Sequence, residues 1–141
     1  MAIVRKSHAK WTGKLMDGKG WFRSGSLEGQ FDFHSRFEDG EGTNPEELIG
    51  AALAGCFSMA LSAALEKAGA VPEEIDTTAE VFLDRLSDGF TIVKIILNTR
   101  VKVDGIDDES LRKIAEETKR TCPIGKALMA VPTIELNIQR I

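Results

Sequence analysis

The first third of the chain alternates between apolar and polar positions in short runs that glycine-rich turns separate. Three such runs match the strand pattern: AIVRKSHAKWTG, WFRSGSL and QFDFHSRF. In the third run, Phe31 and Phe33 alternate with Asp32 and His34, which is typical of a strand with one buried face. The pattern therefore predicts three strands and continues the third of them through Arg36.

A long run without charge follows. Residues 48–65, LIGAALAGCFSMALSAAL, carry no charged side chain. The preceding sequence offers helix start signals, namely a capping residue, a proline for the first turn and acidic residues beside it: Thr43 or Asn44, Pro45, and Glu46 or Glu47. The pattern predicts a helix from about Pro45 to about Lys67, with Gly69 just past its end. Because this helix is apolar on every side, a second helix or a second subunit must cover what one small sheet cannot.

The second half returns to strands and then ends in helices and one more strand. LSDGF predicts the turn of a hairpin, and DDESLRKIAEETKR has the apolar period of an amphipathic helix. TCPIGKALMA interrupts and restarts that helix, and TIELNIQRI alternates as a half-buried closing strand. This order predicts an α+β fold with a mainly antiparallel sheet and a long buried central helix, in one domain over residues 1–141.

The net charge of the chain argues against two classes of partner, nucleic acid and anionic membranes. The chain has 18 basic and 22 acidic residues, a formal net charge of -4, and no long block of like charge. We therefore expect neither nucleic acid nor a membrane as a partner. Residues 48–65 are borderline in length for a membrane span, but acidic residues close the run at both ends and no second apolar run accompanies it. MAIVRKSHAKWTGK lacks the features of a signal peptide, so we expect a cytoplasmic, thiol-reducing location.

The candidate chemistry is that of thiols. Two cysteines 66 positions apart and two histidines, His8 and His34, do not form a zinc pattern, and each histidine is expected on a strand face. DGKG and GEGT lack the lysine-ended pattern of a phosphate loop. We therefore expect no metal and no cofactor.

The two cysteines differ in their surroundings. Cys56 lies about ten residues into the apolar helix, where a small inert core residue is the default interpretation. Cys122 precedes Pro123 and is predicted to cap a short helix, PIGKALM, with Arg120 and Lys126 close in sequence, a setting that favours a thiolate. Two distant thiols suit a pair in which one sulfur is oxidised by a peroxide and the other resolves it to a disulfide.

An ionised Cys56 would need a cation from elsewhere, because a free thiol is only about three per cent ionised at pH 7. Arg36 is the leading candidate, with Glu46 or Glu47 as its bidentate counter-ion. Glu46 and Cys56 are about 15 Å apart along one helix, so either Arg36 folds back or a second subunit supplies the carboxylate. The alternative is that Glu46 only caps the helix and Arg36 only ends a strand.

Several of these stretches resemble one known family. GTNPEELIGAALAGCFSMAL and the later CPIGKAL, together with WTGKLMDGKG, SRFEDGEG and IDTTAEVFLD, resemble the OsmC family of osmotically inducible proteins that reduce organic hydroperoxides. The likeness covers nearly the whole chain. It implies an intertwined homodimer of α+β subunits, with the central helices packed back to back and active sites at the interface.

The resemblance also implies roles for individual residues. Cys56 would be the peroxidatic cysteine, Cys122 the resolving one, Arg36 the cation beside the thiolate and Glu46 its partner carboxylate. It implies organic hydroperoxides as preferred substrates and a dihydrolipoyl dithiol as the reductant.

The chain departs from the family pattern at two positions. The family usually has serine where this chain has Gly125, which we expect to loosen the turn holding Cys122. It commonly has histidine or tyrosine where this chain has Leu53. With Leu53, Phe57 and Met59 around the thiolate, a hydroperoxide with an apolar tail is favoured, since burial yields about 0.8 kcal/mol per methylene.

Two other function classes stay open. In the first, the protein is a non-enzymatic thiol redox sensor or an apolar-ligand-binding protein, although the sequence offers no DNA-reading element or basic patch. In the second, it is a structural protein whose two cysteines are inert.

Overall fold

The computed structural model describes residues 1–141, which divide into two compact units, Met1–Leu48 and Ile49–Ile141. The first unit contains a three-stranded antiparallel sheet of β1 (His8–Thr12), β2 (Lys19–Ser24) and β3 (Leu27–Phe31), in that order. The prediction of three early strands is confirmed in number but not in bounds: the first run begins before β1, the second crosses the turn between β2 and β3, and the third ends too late.

The chain turns into a helix where the pattern predicted that β3 would continue. Helix α1 covers Phe33–Phe37, so His34 and Arg36 lie on a helix and not on a strand. Asp32 caps it: the Ser35 amide donates to Asp32 Oδ1 at 2.8 Å, and the Asp32 amide donates to Ser35 Oγ at 2.9 Å. This reciprocal cap satisfies two backbone donors at once, and it outweighs the strand preference of the alternating phenylalanines. His8, as predicted, lies on strand β1.

Helix α2 runs from Pro45 to Lys67, as the start and stop signals predicted. Asn44 is the capping residue, because its Oδ1 accepts the Glu47 amide at 2.8 Å. At the other end Gly69 has φ +85°, a left-handed conformation that glycine adopts without strain and that ends the helix.

The second unit is built on a second three-stranded sheet with the order β4, β5, β6. β4 (Glu74–Leu86) and β5 (Gly89–Lys102) form the predicted antiparallel hairpin, whereas β6 (Thr133–Arg140) lies parallel to β5. A parallel return needs a crossover connection, which α3 (Asp108–Thr121) and α4 (Pro123–Ala127) provide. Three of the four strand pairings in the chain are antiparallel, so the α+β fold with mainly antiparallel sheets is confirmed.

The core of the second unit lies under one face of α2. Leu53, Phe57, Leu61 and Leu65 recur every four residues and are all fully buried. Their neighbours from the sheet and α3 include Ile95, Leu97, Val101, Leu111 and Ala115. The other faces of α2 are uncovered in the single chain, where Met59 is 79% exposed. By length and composition alone α2 could span a membrane, but its leucine face is already packed in this core.

Candidate active site

The fold brings the two cysteines of the second unit together. Cys56 lies in the middle of α2 and is half-buried, and Cys122 lies between α3 and α4 and is 2% exposed. The Ile124 amide donates to Cys56 Sγ at 3.5 Å, and the next amide, that of Gly125, donates to Cys122 Sγ at 3.4 Å. Two cysteines 66 positions apart in sequence thus accept hydrogen bonds from two consecutive backbone amides. Neither cysteine forms a disulfide bond in this structure.

Cys122 caps α4 as predicted, but its predicted thiolate character is wrong. Burial raises the pKa of the Cys122 thiol above its ordinary value of 9.0, and the adjacent Cys56 sulfur raises it further, while the Gly125 amide acts in the opposite direction. The two cations that favoured a thiolate do not help, because Arg120 pairs with Glu117 and Lys126 is exposed. Cys122 therefore holds its proton at neutral pH, as a buried hydrogen-bonded thiol.

Gly125 lies at a close approach beside Cys122, and the expectation that it loosens this turn stays a prediction. A Cβ at this position would lie 2.5 Å from the carbonyl oxygen of Lys119 and 3.0 Å from Cys122 Sγ. The end of α3, the start of α4 and the Cys122 sulfur therefore meet at a point that only glycine leaves open.

In the first unit, Arg36 and Glu46 form a two-pronged ion pair. Arg36 Nε donates to Glu46 Oε1 at 3.0 Å, and Arg36 Nη2 donates to Glu46 Oε2, also at 3.0 Å. This is the bidentate geometry that a guanidinium makes and an ammonium cannot. The side chains are 37% and 12% exposed, respectively, so the carboxylate is the better shielded partner. Glu47, the other candidate, accepts from Thr43 Oγ1 instead.

Ser35 anchors the helix that carries Arg36. It is 6% exposed, and its hydroxyl donates to the Thr43 carbonyl at 2.8 Å. The Asn44 side-chain amide donates back to the Ser35 carbonyl at 3.0 Å. These bonds join α1 to the residues that begin α2, so Arg36 and Glu46 face each other from two tethered elements. Sequence reasoning missed Ser35, although the Asp32-x-x-Ser35 spacing is a capping-box signal that could have found it.

The three residues expected around the substrate do not form one surface in the single chain. Leu53 and Phe57 are fully buried in the core of the second unit, whereas Met59 is 79% exposed. A groove of about 580 Å³ lies instead between α2 and α3, lined by Ala60, Ala64, Lys67, Ala68, Lys113, Ile114, Glu117, Thr118 and Thr121. It lies close to both cysteines in sequence, because Ala60 is one helical turn beyond Cys56 and Thr121 precedes Cys122.

The titratable side chains form no group of three or more histidine, cysteine or acidic residues that could hold a metal ion. His8 packs edge-on against Trp21, with ring centroids 4.9 Å apart, and His34 pairs with Glu38. The second unit therefore holds two adjacent thiols, and the first unit holds an arginine–carboxylate pair.

Comparison with known proteins places the chain in a family. Residues 38–137 match the family described as OsmC-like protein. The chain belongs to the OsmC-like family. Peroxiredoxin OsmC of Escherichia coli (strain K12) is 46% identical over 142 residues, and the alignment covers 99% of each chain. An organic hydroperoxide resistance protein of Xanthomonas axonopodis pv. citri is 33% identical over 89 residues, which is 62% of this chain and 61% of that relative.

A solved structure of the OsmC-like family agrees in fold. The crystal structure of an OsmC-like protein from Mycoplasma pneumoniae matches with a TM-score of 0.76 and covers 100% of this chain and 99% of its own. Its sequence identity is 16%, so this likeness concerns the fold alone. The resemblance inferred from the sequence motifs is confirmed.

The predicted cap at Cys122 of this OsmC-like chain implies a free amide facing its sulfur, and the Gly125 amide is that donor. Sequence reasoning missed the neighbouring amide, that of Ile124, which donates to Cys56. A contact between residues 68 positions apart leaves no local signal in the sequence.

Proposed function

We propose that this OsmC-like protein is a cysteine-based peroxidase that reduces organic hydroperoxides. The observation that carries the proposal is the juxtaposition of Cys56 and Cys122 on the consecutive amides of Ile124 and Gly125. The names of the relatives, a peroxiredoxin and an organic hydroperoxide resistance protein, support the same reaction class.

In the first step, the Cys56 thiolate attacks the terminal oxygen of the hydroperoxide. An S–O bond forms, the O–O bond breaks, and the alkoxide leaves and takes up a proton to become the alcohol. Cys56 is oxidised to a sulfenic acid. In the second step, the Cys122 sulfur attacks the Cys56 sulfur; an S–S bond forms, and the hydroxyl leaves as water with the Cys122 proton.

The third step needs a reductant from outside the chain. An external dithiol exchanges with the Cys56–Cys122 disulfide, becomes a disulfide itself and returns both cysteines to thiols. We propose a dithiol of the dihydrolipoyl type and, because both cysteines act only when they can be reduced, a cytoplasmic location.

Arg36 is proposed as the cation that favours the thiolate form of Cys56, with Glu46 as the carboxylate that orients it. The bidentate pair supports this role, because it fixes the guanidinium plane. Arg36 can act on Cys56 of its own chain or of a partner, and both arrangements belong to the proposal.

A homodimer is proposed from the uncovered face of α2. Ala51, Gly55, Met59 and Ala63 recur every four residues on this helix and are all exposed. An exposed helical stripe of small and apolar residues suits close packing against a second copy. Met59→Glu is expected to convert the dimer to monomer in sedimentation velocity, and an unmodified chain that sediments as a monomer would contradict the proposal.

The decisive assay is consumption of cumene hydroperoxide and of tert-butyl hydroperoxide with a dithiol reductant. Cys56→Ser should abolish turnover, and turnover retained in that variant would refute the assignment. In Cys122→Ser, a dimedone adduct should accumulate on Cys56 after peroxide treatment. If mass spectrometry finds no trapped oxygen on Cys56, the resolving role of Cys122 is wrong.

The groove between α2 and α3 favours a second candidate function, binding of an apolar ligand. In the peroxidase, the same groove would take the tail of the hydroperoxide. Cys56→Ser distinguishes the two functions. A peroxidase loses its turnover in this variant. A binding protein without peroxidase activity shows no turnover before or after the substitution, and it still binds a fluorescent acyl probe.

A further inference from the structure

Two consecutive backbone amides of α4 each donate to a different cysteine. Ile124 and Gly125 are the second and third residues of this helix, and their amides reach Cys56 Sγ at 3.5 Å and Cys122 Sγ at 3.4 Å. The first amides of a helix have no carbonyl acceptor within it, so both bonds form without breaking a helical hydrogen bond. The helix thus holds the two sulfurs through backbone N–H groups, which no substitution other than one by proline removes.

We propose that the Ile124 backbone amide is a catalytic group, a donor that stabilises the negative charge on Cys56 Sγ, and that Gly125 is the positioning residue that keeps this amide in place. The inference rests on the proposed peroxidase function and adds a residue to its site. It requires no contribution from the first unit, since all the groups involved belong to the second.

The reason for a donor here lies in the composition of α2. Residues 48–65 contain no charged side chain, so this part of α2 supplies no positive charge that could stabilise a thiolate at Cys56. A hydrogen bond to a charged acceptor stabilises it more than a bond between neutral groups does. During attack the Ile124 amide stays on the sulfur while the S–O bond forms and the O–O bond breaks, and it gives up no proton.

Gly125 holds the amide by letting the chain pass close to α3. Its φ is not positive, so glycine is needed here for space and not for backbone conformation. A Cβ would lie 2.5 Å from the Lys119 carbonyl oxygen, where ordinary contacts begin at 3.4 Å. Any side chain would therefore have to separate α3 from the start of α4, by about 0.9 Å to restore an ordinary contact, and we expect this to displace the Ile124 amide from Cys56.

The test removes one N–H at a time from the full-length protein. Residues 1–121, made as a thioester, are ligated to a synthetic peptide of residues 122–141, and the native Cys122 stands at the junction. In one product an ester oxygen replaces the Ile124 N–H, and in a second product one replaces the Gly125 N–H. The ligated protein with amides throughout is the reference. Each ester variant is also the control for the other, because both contain the weaker carbonyl that an ester introduces.

Two rates at Cys56 are measured at pH 7 by mass spectrometry: alkylation by iodoacetamide and oxidation by cumene hydroperoxide. The Ile124 ester should lower both by about tenfold, the loss of one hydrogen bond to a charged group. The Gly125 ester should leave both unchanged and slow only the formation of the disulfide. Unchanged Cys56 rates in the Ile124 ester, or an equal loss in both esters, would overturn the proposal.

Failure of the peroxidase assignment would look different. If the reference protein consumes no peroxide, that assignment is wrong, yet the alkylation rates of the two esters still decide whether the Ile124 amide activates Cys56. Gly125→Ala, made by expression, gives a second route that does not depend on ligation. It should slow Cys56 alkylation, while Met129→Ala, an exposed position just after α4, should not. Undiminished alkylation in Gly125→Ala would contradict the positioning role.

Discussion

Replacing Arg36 by lysine separates the geometry of the ion pair from its charge. Two unit charges about 4 Å apart at an effective dielectric constant of 20 attract by about 4 kcal/mol before desolvation is subtracted. Arg36 is 37% exposed, so solvent screens much of this, and about 1–2 kcal/mol of unfolding free energy is the expected worth of the pair. Lysine keeps the charge but occupies one carboxylate oxygen at most, so Arg36→Lys should lose about half of that amount.

The effect on Cys56 oxidation should be larger than the effect on stability. An unperturbed thiol is about three per cent ionised at pH 7, so complete loss of an activating cation can slow a thiolate reaction by at most about 30-fold. A lysine that holds its charge in another place should cause about a tenfold loss of the oxidation rate. Stopped-flow oxidation of Cys56 by cumene hydroperoxide gives this rate, and urea unfolding gives the stability.

A second arginine–glutamate pair in the same unit provides the matched control. Arg23 Nε lies 2.6 Å from Glu28 Oε1, with both side chains more than 60% exposed, and Arg23→Lys should change neither quantity. Glu46→Gln completes a double-mutant cycle with Arg36→Lys, and coupling should appear in the oxidation rate as well as in stability. Coupling in stability alone would mean that Arg36 only holds the fold, and the proposed role would be refuted.

Three further outcomes follow from the structure. The raised pKa of Cys122 keeps its proton bound in the folded state at pH values where the unfolded thiol has already ionised. The free energy of unfolding should therefore fall as pH rises above 9.0, until the folded thiol also ionises. In Cys122→Ser, which keeps a capping oxygen, urea unfolding under reducing conditions should lose this alkaline decline. Ser35→Ala leaves the Thr43 carbonyl without its donor and should cost about 1–3 kcal/mol of unfolding free energy, where an unchanged value would contradict the anchoring role. Leu53→Ala should cost about 2–5 kcal/mol of unfolding free energy from the core, whereas Leu15→Ala, the same change at a 62% exposed position, should cost far less in the same thermal unfolding measurement.

Local signals in the sequence predicted the long helix and the hairpin well. Pro45 and Gly69 mark the ends of α2 because proline and glycine impose backbone conformations that depend little on the rest of the chain. The same reasoning failed at Phe33, where alternation predicted a strand. There Asp32 and Ser35, three residues apart, form a reciprocal cap that the alternation pattern does not encode.

The site was predicted in its parts and not in its arrangement. The sequence predicts either Glu46 or Glu47 as the partner of Arg36. In the structure Arg36 pairs with Glu46, and Glu47 instead accepts a hydrogen bond from Thr43. The protonation of Cys122 differs from the prediction because the two cations near it in sequence do not serve it: Arg120 pairs with Glu117, and Lys126 is exposed. Burial is the largest cause of the raised pKa of Cys122, and the Cys56 sulfur adds to it; neither is a local property of the sequence.

The sequence by itself determined which reactive groups this protein carries: two cysteines, one of them in a stretch of helix without any charged side chain. Only the tertiary structure decided which groups meet. The crossover from β5 to β6 carries Cys122 back onto α2, and the missing side chain of Gly125 lets two amides reach two sulfurs. The physical reason is that residue identity specifies which donors and acceptors exist, whereas long-range packing specifies the distances between them.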